Sequence, residues 1–164
     1  GYADLAGQLG VVEGERVPLA AAREAVLAQR RRRGMVLDPA DHDTWSCGSF
    51  FTNPLVPTSH VERIRSAVAE QRGSEHADRM PAWPGAGDHV KLSAAWLIEA
   101  AGFAKGFGLP GPASLSTKHT LAVTNRGSAS AADIVDLART VRDGVTATLG
   151  VTLVNEPVLV GLTL

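Results

Sequence analysis

The fold class of this chain is decided by residues 44–57, which read Thr44-Trp45-Ser46-Cys47-Gly48-Ser49-Phe50-Phe51-Thr52-Asn53-Pro54-Leu55-Val56-Pro57. Small, aromatic and polar side chains alternate here and end at two prolines, a pattern that predicts short strands interrupted by tight backbone. Phe50 or Phe51 is expected to pack into the core, since the chain has few large side chains to fill it, whereas exposure of both rings would mark a contact with another domain. Directly afterwards, Ser59-His60-Val61-Glu62 has the spacing of a capping box and predicts the start of a helix. Short strands followed by a helix indicate a mixed fold.

Four segments have the apolar spacing of helices, and they span residues 19–33, 59–73, 91–101 and 130–150. The last has the clearest bounds, an N-cap at Ser130 with Asp133 at its third position and a stop at Gly150. Residues 118–125, 151–154 and 158–162 predict strands, residues 73–87 a mobile loop, and residues 2–12 either a strand or a helix. The prediction is an α+β fold, a single compact domain over residues 1–164 with a small mixed sheet packed by about four helices.

Length and composition exclude several classes of protein. The 164 residues are 45% hydrophobic, which is enough for one core, and 16 Lys+Arg against 17 Asp+Glu give a net charge of -1. That balance argues against a nucleic-acid binder that works through a broad basic surface. No apolar run approaches the roughly 20 residues that a membrane span needs, and the first residues do not resemble a signal peptide. With one cysteine, the chain is expected to be a soluble, cytoplasmic domain.

Templates for metal sites and for reactive cysteines fail. The histidines are scattered without ligand spacing, and they are His42, His60, His76, His89 and His119. Cys47 is expected to be a buried, inert thiol. The run from Arg30 to Arg33, followed by Gly34, is typical of a solvated helix end with a C′ glycine, although it could also face a phosphate-bearing ligand or a partner domain.

Two places carry candidate chemistry. Ser49, Phe51 and Asn53 share one face if their segment is extended, so a hydroxyl and a carboxamide bracket an aromatic ring. The alternative is a strand in which Ser49 and Asn53 satisfy local backbone groups. Glu156 lies between apolar runs, where a buried carboxylate would need a partner or a proton. The alternative for Glu156 is the exposed end of a hairpin.

These segments, taken in order, resemble a known family. The most specific is Cys47-Gly48-Ser49-Phe50-Phe51-Thr52-Asn53-Pro54, and the others are residues 91–99, residues 116–119 and the closing pattern that runs from Leu153 through Glu156 to Gly161. Together they resemble the C-terminal domain of UDP-N-acetylenolpyruvoylglucosamine reductase, the MurB family, over nearly the whole chain from Tyr2.

The resemblance implies a flavoenzyme of peptidoglycan precursor synthesis, in which NADPH reduces FAD and the flavin reduces UDP-N-acetylglucosamine enolpyruvate to UDP-N-acetylmuramate. It implies that Ser49 is the general acid and that Glu156 stabilises the charge of the enolate intermediate. Asn53 is then expected to bind the nucleotide sugar. Lys118 and His119 are expected near its diphosphate or uridine.

The FAD-binding domain that precedes this domain in the family has no counterpart in the sequence, so it is expected as a separate partner. The chain alone is expected to bind no flavin and to be inactive. Two alternatives remain open. In the first, the chain is a nucleotide-sugar binding module that acts alone or as one subunit of a split enzyme. In the second, it is a generic α+β interaction domain. Binding of UDP-N-acetylglucosamine enolpyruvate would argue against the last of these.

Overall fold

A computed structural model describes residues 3–164, so the predicted domain start at Gly1 and the resemblance at Tyr2 lie outside the described residues. The helices are α1 (Ala3–Leu9), α2 (Leu19–Arg32), α3 (Thr58–Arg72), α4 (Ser74–Asp78), α5 (Ala94–Ala100) and α6 (Ala131–Leu149), with a short 3-10 turn at His42–Thr44. The strands are β1 (Ser46–Ser49), β2 (Leu55–Pro57), β3 (Ala82–Pro84), β4 (His89–Leu92), β5 (Ala113–Leu115) and β6 (Ala122–Asn125). The predicted α+β class is confirmed.

The strands form two three-stranded sheets, with the orders β1-β6-β5 and β2-β4-β3. Every pairing within them is antiparallel, whereas one small mixed sheet was expected. The chain passes from the first sheet to the second between Ser49 and Leu55. Pro54 lies in this passage, and because proline has no backbone N–H it cannot continue a ladder of hydrogen bonds.

The core lies between the two sheets and the long helix α6. Phe50 and Phe51 are each only 2% exposed, as expected, and their rings meet edge to face with centroids 5.1 Å apart. One face of α6 is buried in the same cluster through Ala138, Val141 and Val145. The aromatic pair therefore anchors the segment that follows β1 and fixes the strand relative to α6.

Helix boundaries follow local chemistry in one case and long-range pairing in others. At α6 the predicted N-cap at Ser130 is confirmed, because its hydroxyl accepts from the amide of Asp133. The Asp133 carboxylate in turn accepts from the amide of Ser130, which completes a capping box. The predicted capping box at Ser59 is wrong, since α3 begins at Thr58 and makes no side-chain cap. The predicted helix over residues 91–101 begins only at Ala94, because residues 89–92 are the middle strand of the second sheet.

The expected mobile loop over residues 73–87 is also wrong. It contains α4 and β3, and the burial of Ala77 and Met80 holds this segment against the core. Beyond α6, the predicted strand pair is replaced by an irregular segment. In the part of the chain that the structure describes, its one sheet-like contact is an antiparallel bridge between Phe51 and Asn155.

Candidate functional site

A cavity of about 750 Å³ opens between the end of α2, strand β1 and the segment after α6. The residues that line it include Arg30, Met35, Cys47, Ser49, Glu156 and Pro157. Its size is within the range of roughly 300–1,000 Å³ that is usual for small-molecule sites. Both residues predicted to be catalytic, Ser49 and Glu156, thus line the same cavity.

An irregularity in β1 positions Ser49. The register of β1 against β6 shifts between Ser46 and Ser49, and the amide of Gly48 donates to the Ser46 hydroxyl at 3.2 Å. Gly48 has a φ of +87°, a conformation that a residue with a side chain adopts only with strain. Irregularities of this kind redirect side chains beside functional sites, and here Ser49 follows directly.

Backbone pairing brings Glu156 to the same place. The Glu156 amide donates to the carbonyl of Phe50 at 2.9 Å, and the Thr52 amide donates to the carbonyl of Val154 at 2.9 Å. Because Ser49 immediately precedes Phe50, this pairing lays the carboxylate beside the serine. Glu156 is exposed rather than buried between strands. Within residues 3–164, neither the Ser49 hydroxyl nor the Glu156 carboxylate has a hydrogen-bond partner.

Cys47 is exposed and lines the cavity, so the expectation of a buried thiol is wrong. It lies on the outward side of the irregular strand β1. Partial desolvation raises the pKa of the Cys47 thiol, and the nearby charge of Glu156 raises it further. The thiol therefore stays protonated at neutral pH and is a poor nucleophile there.

Asn53 lies on a different part of the surface. Its Oδ1 accepts a hydrogen bond of 3.0 Å from the amide of Ala94, the first residue of α5. The side chain thus satisfies one of the backbone donors that a helix start leaves free. The predicted common face of Ser49, Phe51 and Asn53 is not formed, because β1 ends at Ser49 and Phe51 turns into the core.

The turn at residues 116–119 holds the other two predicted binding residues, and aspartates brace it. The Lys118 ammonium pairs with the Asp41 carboxylate. Asp43, which is 4% exposed, accepts from the Thr117 amide at 2.9 Å, from the Thr117 hydroxyl, and from Arg126 at 2.8 Å. We call Asp43, Thr117 and Arg126 the Asp43 cluster. It fixes the turn to the 3-10 segment that precedes β1.

The ionisable groups of this turn are shifted by their neighbours. Burial favours a higher pKa for Asp43, but hydrogen bonds from Thr117 and Arg126 outweigh it and lower the pKa. The hydrogen bond between Lys118 and Asp41 lowers the pKa of the aspartate and raises that of the lysine. Burial, together with the positive charges of Arg33 and Lys105, lowers the pKa of His119, so its imidazole is neutral at pH 7.

One charged residue that lines the cavity was not among the predicted site residues. Arg30 lines the cavity opposite β1, although the arginine run was interpreted first as a solvated helix end. The run itself was the available indication, but helical spacing alone does not say which of four consecutive arginines faces a cavity. That choice depends on how α2 docks against the segment before β1.

No group of three or more histidine, cysteine, aspartate or glutamate side chains among residues 3–164 is placed to hold a metal ion. No helix there is both long enough and apolar enough to cross a bilayer.

Fold and cavity together define an α+β domain with a cavity of small-molecule size, whose lining combines a hydroxyl, a carboxylate and a guanidinium. A family model described as UDP-N-acetylenolpyruvoylglucosamine reductase, C-terminal domain, matches residues 38–160. The chain belongs to this family of reductase C-terminal domains.

Individual relatives agree. Proteins named UDP-N-acetylenolpyruvoylglucosamine reductase from Nocardia farcinica and Thermobifida fusca are 59% and 58% identical to it, each over 99% of this chain. The matched segment is 42% of the first relative and 45% of the second. The chain thus spans less than half the length of these relatives.

Proposed function

We propose that this chain is the substrate-binding and proton-donating domain of a reductase that converts UDP-N-acetylglucosamine enolpyruvate to UDP-N-acetylmuramate in peptidoglycan precursor synthesis. The observation that carries the proposal is the placement of Ser49 and Glu156, which are distant in sequence, in one cavity with their polar groups free of internal partners. Membership of the family supports the reaction class. In this proposal the protein acts in the cytoplasm.

FAD and NADPH are the cofactors of the proposed reaction, and the cavity lining bears on where they bind. The described residues that line it offer polar and aliphatic groups and no aromatic ring for stacking on a flavin. The lining therefore fits a polar substrate better than a flavin, and we assign FAD to a separate FAD-binding domain. When bound there, the reduced flavin supplies the hydride for the double bond.

In this proposal Ser49 donates the proton. Its Oγ–H bond breaks as a C–H bond forms at the substrate carbon that has gained negative charge, and the serine oxygen then recovers a proton from water. A serine hydroxyl is a weak acid at neutral pH. It serves only when the carbanion is strongly basic and the hydroxyl is held within hydrogen-bond reach. The irregularity at Gly48 would supply that rigid placement.

Glu156 acts on the same intermediate. Placed beside the carboxylate of the enolpyruvyl group, it would carry or share a proton and so stabilise the charge that develops on the enolate. The side chain is exposed in this chain.

Asn53, Lys118 and His119 complete the proposed substrate contacts. The Nδ2 group of Asn53 is available for a ligand while its Oδ1 binds Ala94. The Lys118 ammonium would share its hydrogen bonds between Asp41 and a phosphate oxygen. His119, neutral at pH 7, would donate or accept a hydrogen bond rather than contribute charge.

A second function, a stand-alone nucleotide-sugar binding module, is favoured by one observation. The cavity is built from this chain's own residues, from α2, β1 and the segment after α6. In that case the chain would bind the nucleotide sugar alone and would gain no activity from a flavin-binding partner.

A chimera tests the proposed function. Residues 3–164 replace the matching segment of the Nocardia farcinica relative, to which the chain is 59% identical. We expect the purified chimera to retain flavin absorbance and to oxidise NADPH only when UDP-N-acetylglucosamine enolpyruvate is present. A folded, flavin-loaded chimera that binds the substrate without turnover would favour the binding module instead.

A further inference from the structure

The carboxyl end of α2 presents four consecutive arginines in a fixed backbone geometry. The amide of Met35 donates to the carbonyl of Arg30 at 2.8 Å, and the amide of Gly34 donates to the carbonyl of Arg31 at 3.0 Å. With Gly34 at a φ of +69°, these two bonds form a Schellman motif, which confirms the predicted C′ glycine. A Cβ added to Gly34 would lie 2.8 Å from the carbonyl oxygen of Asp43, so α2 is packed tightly against the segment before β1.

Three of the four arginines have partners within the chain. Arg31 pairs with Glu24 at 2.8 Å, Arg32 donates to Gln8 at 3.1 Å, and Arg33 lies 3.9 Å from Asp4. Arg30 differs from its neighbours, because its guanidinium has no hydrogen-bond or ion-pair partner among the described residues and it lines the cavity. Its charge is thus available to a ligand.

The charges of the cavity are arranged in opposition. Among the described lining residues, Arg30 is the cation and Glu156 is the anion, and they lie on elements from opposite ends of the sequence. An anionic group that enters the cavity is attracted to the guanidinium of Arg30 on the α2 side. This arrangement would orient an elongated ligand whose negative charge is concentrated at one position.

We propose that Arg30 binds an oxyanion of the substrate in the Ser49 cavity, either the diphosphate or the enolpyruvyl carboxylate. The inference rests on the proposed function and adds a binding residue to that site. A guanidinium suits both groups, because its planar donors match two oxygens of a phosphate or a carboxylate at once. The Schellman motif holds the Arg30 backbone, so less freedom is lost when the ligand binds.

The test measures binding to the 164-residue chain by ¹⁵N NMR, which also detects weak complexes. Two ligands are titrated, UDP-N-acetylglucosamine, which has the diphosphate alone, and its enolpyruvyl ether, which adds the carboxylate. We expect Arg30→Gln to weaken binding about tenfold or more, as for loss of a charge-assisted hydrogen bond. Arg31→Gln is the matched control, because it removes the same charge from the same helical turn while its side chain faces Glu24.

The two ligands separate the two sources of the oxyanion. Weakening of both ligands by Arg30→Gln assigns Arg30 to the diphosphate, and weakening of the enolpyruvyl ether alone assigns it to the carboxylate. Arg30→Lys, which keeps the charge without the planar fork, should recover part of the affinity. Equal affinities in the parent chain and Arg30→Gln would overturn the inference while leaving the proposed function intact.

Inorganic pyrophosphate tests the role of Arg30 even if the proposed function is wrong. If the parent chain binds neither nucleotide sugar, the proposed function fails, and titration with inorganic pyrophosphate then tests Arg30 alone. We expect the Nε–Hε resonance of Arg30 to shift with pyrophosphate and to shift more than that of Arg31. An unchanged Arg30 resonance would overturn the inference independently of any sugar ligand.

Discussion

Two regions of this domain treat their polar side chains in opposite ways. In the cavity, Ser49 and Glu156 point their polar groups at open space, with no partner among residues 3–164. At the turn over residues 116–119, Lys118 is paired with Asp41 and the Asp43 cluster is fully bonded. The cavity thus contains groups that remain available for a ligand, whereas the groups at the turn stabilise the fold.

Burial explains why both arrangements are tolerated. Asp43 is almost completely buried, where an unpaired carboxylate would be costly, so its bonds are required by the fold. Glu156 is exposed, and water satisfies its carboxylate at little cost. The cavity can therefore keep its polar groups free until a ligand displaces the water.

The largest expected effect falls on the cavity. In the active chimera, Ser49→Ala should leave reduction of the flavin by NADPH intact and slow reoxidation by substrate about 10²–10⁴-fold, the usual contribution of a general acid. Stopped-flow absorbance of the flavin measures both half-reactions. Ser66→Ala is the control, because it removes the same hydroxyl from an exposed position on α3 that does not line the cavity. Unchanged reoxidation in Ser49→Ala would remove Ser49 from the acid role.

The second prediction concerns the Asp43 cluster, where a substitution should lower stability. Asp43→Asn should lower the free energy of unfolding by about 3–5 kcal/mol, since it leaves the charge of Arg126 without its buried partner. Urea unfolding measures this loss. Asp41→Asn is the control, because its ion pair with Lys118 is partly exposed and such pairs contribute about 0–1 kcal/mol. Equal losses in the two variants would mean that burial does not distinguish the two aspartates.

The same cluster gives a pH dependence with a defined sign. The pKa of Asp43 is lower in the folded chain than the value of about 3.9 expected when unfolded. Its contribution to stability is therefore complete above that unfolded value and is lost as the pH falls through the folded pKa. The difference in stability between the parent chain and Asp43→Asn should narrow in acid. If the difference in the free energy of unfolding between the two proteins stays constant as the pH falls below about 3.9, the lowered pKa of Asp43 is contradicted.

Glu156→Gln should produce a smaller effect than Ser49→Ala. The change is nearly isosteric and the side chain is exposed, so the free energy of unfolding should stay the same. Reoxidation of the flavin by substrate should slow about tenfold or more, because the amide cannot carry the proton of a carboxyl group. A loss of thermal stability with unchanged turnover would make Glu156 structural and would weaken the contrast between the two regions.

Local chemistry made part of this molecule predictable from its sequence. The N-cap at Ser130 and the C′ glycine at Gly34 depend on neighbours within a few residues. The burial of Phe50 and Phe51 could be expected from composition, since the chain has few large side chains to fill a core. The cavity itself was anticipated only through the resemblance, which linked Ser49 to Glu156. Composition and spacing left that pair undecided.

Features that depend on distant contacts were not predictable in this way. The division into two sheets depends on residues 89–92 pairing between β2 and β3, although their apolar spacing also fits a helix. The position of Glu156 depends on its bond to Phe50, and the role of Arg30 depends on the packing of Gly34 against Asp43. No pattern within a short window of sequence contains these pairings.

Asn53 lies outside both regions but combines their two roles, and it gives the smallest and sharpest prediction. Its Oδ1 accepts a hydrogen bond from the amide of Ala94 and so stabilises the start of α5, whereas its Nδ2 is available to a ligand. Asn53→Ala removes both functions and should lower the free energy of unfolding by about 1 kcal/mol, as loss of a helix cap does.

Asn53→Asp separates the two functions of this side chain. It keeps an acceptor for Ala94 at the start of α5, so stability in urea should match that of the parent chain. It removes the donor and adds a negative charge, so binding of UDP-N-acetylglucosamine, followed by NMR titration, should weaken. If both variants bind the nucleotide sugar as well as the parent chain and only Asn53→Ala loses stability, the role of Asn53 is structural. The sugar would then form no hydrogen bond with its Nδ2 group.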